Sequence, residues 1–249
     1  MNTVYAVGLG PGSEEYMTRQ AWQALDKCDI ICGYTVYVDL VRDIFPDKEM
    51  FSTPMMKEID RCRWAIEKAE EGFNVAMVCS GDSGVYGMAT LLLEIAENHE
   101  NIEIEVVPGV TAALSGGAVL GAPISHDFCV ISLSDLLTPW ELIEKRLDCA
   151  GQGDFAMAIY NPRSKKREDY LKKACEILLK SRTPETICGW VKNIGREGQI
   201  YEIMTLRELA DEKYKDVDMF TTVFIGNSAT RRSGNRMLTL RGYDRKCEL

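Results

Sequence analysis

Apolar residues in the first half of this chain fall into short, nearly continuous runs. Each run ends in a loop rich in small residues, and helical spacing follows. Thr3 to Val7, Asp29 to Cys32 and Val75 to Cys79 are the runs, while Ile102 to Val107 alternates as a strand. Bounded by turn residues, the runs read as buried strands. Met17, Ala21, Leu25 and Cys28 then recur as one helix face, and Ile59, Cys62, Ile66 and Ala69 as another. Ser13 is the expected N-cap of the first helix, with Glu14 and Glu15 in its first turn. Gly72 closes the helix that contains Ile59, and Met88 to Ala96 reads as a helix after the strand at 75–79. Tyr34 to Leu40 leads into a short helix whose tyrosines, Tyr34 and Tyr37, either line a flat ligand or half-bury against a core.

Strand, loop and helix thus alternate about four times, which predicts a parallel α/β sheet with its ligand off the carboxyl ends of the strands. The loops at 8–13, 80–87 and 108–112 would gather there. Gly121-Ala122-Pro123 marks a change, dividing the chain into an N-terminal α/β domain, 1–120, and a C-terminal α/β domain, 121–249. Beyond it, Phe128 to Leu133, Phe155 to Tyr160 and Thr221 to Ile225 read as strands. Thr186 to Val191 and Gln199 to Met204 read as a hairpin around Gly195-Arg196-Glu197-Gly198, so a mixed sheet is expected. Thr138, Pro139 and Glu141 have the form of a capping box with proline at the first helical position, and Thr205 with Glu208 forms a second box.

Composition narrows the function. The chain has 249 residues, 46% of them hydrophobic, and a net charge of −9. That balance argues against a general nucleic-acid binder. No run of about 18 apolar residues suggests a membrane span, and the N-terminus enters a strand without a signal-peptide pattern, so a cytoplasmic protein is expected. Nine cysteines, several within apolar runs (Cys79, Cys129, Cys188), suit reduced core thiols. The closest pair, Cys28 and Cys32, is not a C-x-x-C motif, and His99 and His126 lie far apart. No metal site is expected from these spacings.

The loops carry the chemistry. Ser80-Gly81-Asp82-Ser83-Gly84-Val85-Tyr86-Gly87 joins a strand to a helix, supplies one carboxylate and lets backbone approach a ligand. An ordinary turn is the alternative. Gly8-Leu9-Gly10-Pro11-Gly12-Ser13 fails the dinucleotide fingerprint, because the glycine spacing is wrong and Pro11 has no N–H to give. A nicotinamide-dependent oxidoreductase is disfavoured for that reason. Pro108-Gly109-Val110-Thr111-Ala112-Ala113 opens a helix of small residues, which permits close packing on a sheet or on a ligand. Arg163, Lys165, Lys166 and Arg167 cluster where a helix is expected to start; a solvated helix start is the usual reading of such a run, and an anionic ligand is the alternative, favoured because the charges oppose the helix dipole. Arg231 and Arg232 follow the last core strand.

Together, Val7 to Gly12, Gly81 to Gly87 and Pro108 to Ala113 resemble the tetrapyrrole methylases of corrin biosynthesis. Gly121 to Phe128, Ile131 to Trp140, Tyr160 to Ser164, Gly226-Asn227-Ser228 and Thr239 to Tyr243 are similar to the narrower subgroup that methylates precorrin-3B or cobalt-factor III at C-17 with ring contraction. Leu240 stands where that subgroup usually has proline. The resemblance implies two α/β domains with the active site in the trough between them, usually in a homodimer. It implies S-adenosylmethionine as donor, held at Pro11, Gly81, Asp82, Val85, Thr111, Ala112 and Tyr160. A substrate with many carboxylates would meet Arg163, Lys165, Lys166, Arg167, Arg231 and Arg232. The donor carbon is already activated, so alignment is the main task. Ring contraction needs proton transfers, for which Asp135, His126 and Tyr37 are the candidates. A methylase acting at another macrocycle carbon and a non-catalytic tetrapyrrole binder are the competing readings.

Overall fold

The computed structural model describes residues 2–211, 216–243 and Lys246. It divides into two compact units, Met1–Ala112 and Ala113–Leu249. The first unit runs β1 (Asn2–Gly8), α1 (Arg19–Lys27), β2 (Ile30–Tyr34), α2 (Thr35–Arg42), β3 (Glu49–Thr53), α3 (Glu58–Glu70), β4 (Val75–Cys79), α4 (Ala89–Ala96) and β5 (Ile102–Val107). Its five strands are ordered β3-β2-β4-β1-β5, and every pairing is parallel. β4 is buried at every position, which is why its sequence is a continuous apolar run without alternation. Both faces are covered. Val7, Ile31 and Val78 pack with Ala21 and Leu25 of α1 and Val38 and Val41 of α2. Val4, Ala6, Ile30, Val75 and Met77 turn the other way, onto Cys62 and Ile66 of α3 and Leu92 of α4. The parallel sheet expected from the sequence is therefore present, wound on both sides.

The second unit continues with α5 (Ala112–Leu120), which starts at the border, then β6 (Gly121–Ala122), β7 (Phe128–Ser132), α6 (Trp140–Gln152), β8 (Ala156–Tyr160) and α7 (Tyr170–Leu178). β9 (Ile187–Lys192), β10 (Ile200–Thr205), α8 (Leu206–Ala210), β11 (Thr221–Ile225), β12 (Thr230–Ser233) and β13 (Arg236–Thr239) complete it. The border expected after Leu120 lies at the other end of α5. Gly116 explains why α5 goes with the second unit: a Cβ there would sit 2.9 Å from Ile194 and 3.1 Å from Phe224, so the missing side chain lets the helix lie close on β11. The main sheet is mixed, as expected, in the order β10-β9-β11-β8-β7, with only β7 and β8 parallel. β12, β13 and β6 form a separate small sheet.

Three local expectations are corrected. Glu14–Tyr16 forms a single 3-10 turn, and α1 begins after Thr18, whose Oγ1 accepts the Ala21 N–H at 3.0 Å. Met17 has an extended ψ of 142°, so the helix cannot run on from Ser13. Pro139 also has an extended ψ, 141°, which places it at the N-cap of α6 without a side-chain cap, so no box forms at Thr138. Ile59 is half exposed, and Arg61 and Ala65 complete the buried face of α3 instead. The Thr205–Glu208 capping box forms as expected. Among the described residues, no helix is long and apolar enough to cross a membrane.

Candidate functional site

β4, β1 and β5 lie side by side, so the loops at 8–13, 80–87 and 108–112 meet at their carboxyl ends. They are bonded to one another. Leu9 N–H donates to the Cys79 carbonyl at 2.9 Å, and Gly10 and Gly81 exchange backbone hydrogen bonds at 2.9 and 2.7 Å. Both glycines are left-handed, at φ +76° and +69°, a conformation that residues with a Cβ adopt only with strain. Gly109 is excluded from being anything larger by contact alone. A Cβ there would press on the Gly81 carbonyl and lie 2.6 Å from the Gly8 carbonyl oxygen.

Asp82 is the pin of this cluster. Its Oδ1 accepts the N–H groups of Gly84 at 2.8 Å and Val85 at 3.0 Å, and its Oδ2 accepts the Gly109 N–H at 2.9 Å. Three bonds from N–H groups to one carboxylate fasten the central loop to the third loop. Ser83, fully buried, donates from Oγ to the Val107 carbonyl at 3.0 Å and holds the same junction from beneath. Ser83 was not legible from the sequence, because its acceptor is 24 residues away. A Cβ position on Gly81 lies 3.6 Å from Thr111 Cα and 3.7 Å from Ala112 N, so the central loop touches the opening of α5. Pro11 is buried in the first loop. Pro11, Gly81, Asp82, Val85, Thr111 and Ala112 are thus brought to one end of one sheet. Tyr160 ends β8 in the second unit, where its hydroxyl accepts the Ala113 N–H at 2.7 Å.

The acid–base candidates fall on different elements. Tyr37, on α2, meets Tyr34 edge to face at 5.1 Å and packs on the first-unit core. His126 and Asp135 flank opposite ends of β7, a strand of roughly 16 Å for its five residues, so they do not form a pair. His126 is about half exposed, and its Nδ1 accepts the Asp127 N–H at 2.8 Å within a local turn. Asp135 has both oxygens engaged: Tyr170 Oη donates to Oδ2 at 2.6 Å and Arg167 Nη1 to Oδ1 at 3.3 Å. The Tyr170 hydroxyl first, and Arg167 with it, hold the Asp135 carboxyl below the usual carboxylate range. It is therefore an ionised anchor and a poor proton donor at neutral pH. Tyr170 was invisible to pattern reading, standing 35 residues downstream.

The cationic candidates divide. Ser164 to Arg167 closes a tight turn through reciprocal backbone bonds, and α7 starts only at Tyr170, so the basic run is a turn and not a helix start. Lys165 and Lys166 stand exposed at its tip, while Arg163 is half-buried. The Arg167 side chain, only 14% exposed, folds inward onto Ser134 Oγ at 2.9 Å and Asp135. It is a structural cation rather than a free one. Arg231 and Arg232 are neighbours on β12 and so point to opposite faces. Arg232 is turned onto the carbonyls of Gly234 and Ile203, at 3.1 and 3.3 Å. The two cannot line one anion site together.

The sequence matches the family model described as Tetrapyrrole (Corrin/Porphyrin) Methylases over residues 3–210. A probable cobalt-factor III C(17)-methyltransferase of Salmonella typhimurium is 45% identical over 238 residues, with 95% of this chain and 98% of that one aligned. A cobalt-factor III methyltransferase of Priestia megaterium is 43% identical over 248 residues, and there the chain spans 45% of a longer protein. The crystal structure of the methyltransferase CobJ is similar at a TM-score of 0.89 and 40% identity, covering 96% of this chain and 100% of that one. A match that runs from Thr3 through the three bonded loops and on to Ala210 leaves one conclusion: the chain belongs to the tetrapyrrole (corrin/porphyrin) methylases.

Proposed function

We propose that this protein transfers a methyl group from S-adenosylmethionine to C-17 of cobalt-factor III, with contraction of the macrocycle, or does the same to the metal-free precorrin-3B. The observation that carries the reading is the 45% identity to the Salmonella relative over nearly all of both chains.

The three-loop cluster suits such a donor. Residues 8–13, 80–87 and 108–112 contain no lysine or arginine and a single acid, Asp82. That is the wrong charge for a pyrophosphate and the right one for a cationic sulfonium. When bound, S-adenosylmethionine supplies a methyl group already activated for displacement. Pro11, Gly81, Asp82, Val85, Thr111 and Ala112 would hold it. Their work is orientation. The loops are tied to one another by backbone bonds and by the Asp82 carboxylate, so little chain ordering remains to be done on binding. On the acceptor side, Lys165, Lys166, Arg163 and Arg231 are the cations left to meet substrate carboxylates. Asp135 contributes by holding structure.

Anaerobic incubation of the purified protein with S-adenosylmethionine and cobalt-factor III tests the reading. The expected product is heavier by one methyl group, with an absorbance change from the shortened conjugation. Unchanged macrocycle mass in protein that still binds S-adenosylmethionine would reject the substrate and leave the donor site standing.

A further inference from the structure

The loop after β7 presents two leucines to water from an unusually well-anchored base. Leu136 is 68% exposed and Leu137 is 98% exposed. Neither is a frayed end. The loop enters through Leu133, which is fully buried and donates its N–H to the Tyr160 carbonyl at 2.9 Å. It leaves through Trp140, whose ring lies 4.5 Å from that of Tyr170. Between these points Ser134 and Asp135 are gripped by Arg167, and Asp135 by Tyr170.

Arg167 also closes the Ser164–Arg167 turn, so one guanidinium ties the leucine loop to the lysine turn. An apolar tip and a cationic tip are therefore fixed beside each other, at the carboxyl ends of the parallel pair β7 and β8. Two exposed leucines alone would suit any apolar partner. Two leucines bound to a turn that carries Lys165 and Lys166 suit an amphiphile with a flat apolar body and carboxylates on its rim. A tetrapyrrole precursor has that chemistry.

We propose that Leu136 and Leu137 contact the face of the macrocycle, that Lys165 and Lys166 take carboxylates on its rim, and that Arg167 is a positioning residue that sets the spacing of the two tips. This rests on the tetrapyrrole reading above and adds the substrate-facing surface to it. Arg167 thereby moves from direct contact with substrate to support of the residues that make it.

The test uses the full-length chain and three variants: Leu136→Ser with Leu137→Ser, Lys165→Ala with Lys166→Ala, and Arg167→Met. Steady-state methylation of cobalt-factor III is measured, with S-adenosylmethionine binding by calorimetry and melting temperature beside it. Absorbance titration with uroporphyrin, a tetrapyrrole bearing eight carboxylates, gives macrocycle affinity without turnover. The leucine variant is expected to raise KM for the macrocycle about tenfold and to weaken uroporphyrin binding to the same degree. Its kcat, its S-adenosylmethionine affinity and its melting temperature stay as in the wild type. The lysine variant raises KM and flattens its dependence on salt, while the leucine variant keeps the wild-type salt slope. Arg167→Met raises KM and leaves kcat, a split that general loosening would not give. If the wild type binds uroporphyrin in a leucine-dependent manner but does not methylate cobalt-factor III, the proposed substrate fails and this surface stands. Unchanged KM and unchanged uroporphyrin affinity in the leucine variant overturn the surface. So does a fall in sedimenting mass with unchanged affinity, which would assign the leucines to contact between copies of the chain.

Discussion

At the scale of single residues, two carboxylates do work that their neighbours in sequence do not announce. Asp82 accepts three backbone N–H groups from two loops. Asp82→Ala removes all three acceptors and frees the central loop from Gly109. Each charge-assisted bond contributes about 1.5–3 kcal/mol, so S-adenosylmethionine binding is expected to weaken by one to two orders of magnitude while the sheet stays folded. Calorimetry and circular dichroism on the same sample check this, and unchanged affinity would remove the pin from the donor site. Asp135 is the second case. Its ionised form is favoured by the Tyr170 hydroxyl first and Arg167 next. A folded-state pKa below the unfolded one contributes stability above the ordinary carboxylate value of about 4, and that stability is lost as pH falls through the lowered folded value. Tyr170→Phe should therefore move the Asp135 titration upward, and its destabilisation relative to wild type should fade at acid pH. Carboxyl carbon NMR reads the first effect and thermal melts across pH the second. An unmoved midpoint would mean that Tyr170 does not hold the carboxylate.

Among elements, the meeting of β4, β1 and β5 decides where the site is. The contact is so close that a methyl group cannot be added at Gly109 without displacing the backbone of β1's loop or of the central loop. Gly109→Ala is expected to destabilise the protein by about 3 kcal/mol, in the upper part of the overpacking range. Urea unfolding measures it, and a loss under about 0.5 kcal/mol would show that the loops are not held together as described. Much of this was legible in the sequence. β4 has the bounds that its apolar run predicts, because a parallel strand covered on both faces is apolar throughout, and β5, at the sheet edge, has the bounds of its alternating Ile-Glu-Ile-Glu pattern. Helix starts were less legible. Ser13 and Thr138 are good caps by residue type, yet Met17 and Pro139 are extended, and no propensity overrides the backbone that follows a cap. The roles of Arg167 and Tyr170 were hidden for a different reason. Their partners are more than thirty residues distant, and a cluster of basic residues looks the same whether its arginine faces water or folds inward.

For the whole molecule, core chemistry and surface chemistry separate. The described cysteines are free thiols, and burial pushes Cys28, Cys62 and Cys175 up to about 12 and Cys79 to about 11. These four, all buried, behave as small apolar residues. Lys165, Lys166, Arg163 and Arg231 are the cations proposed above to meet substrate carboxylates, in a chain of net charge −9. The donor cluster in the first unit and the tethered tips in the second each follow from their own unit's strands. Methylation at C-17 is the activity proposed for the chain. The measurement that tests it most directly is the position of the label after reaction of cobalt-factor III with S-adenosylmethionine carrying a 13C methyl group. A single enriched methyl resonance coupled to C-17 of a contracted ring is the expected result. Enrichment at any other carbon would contradict it.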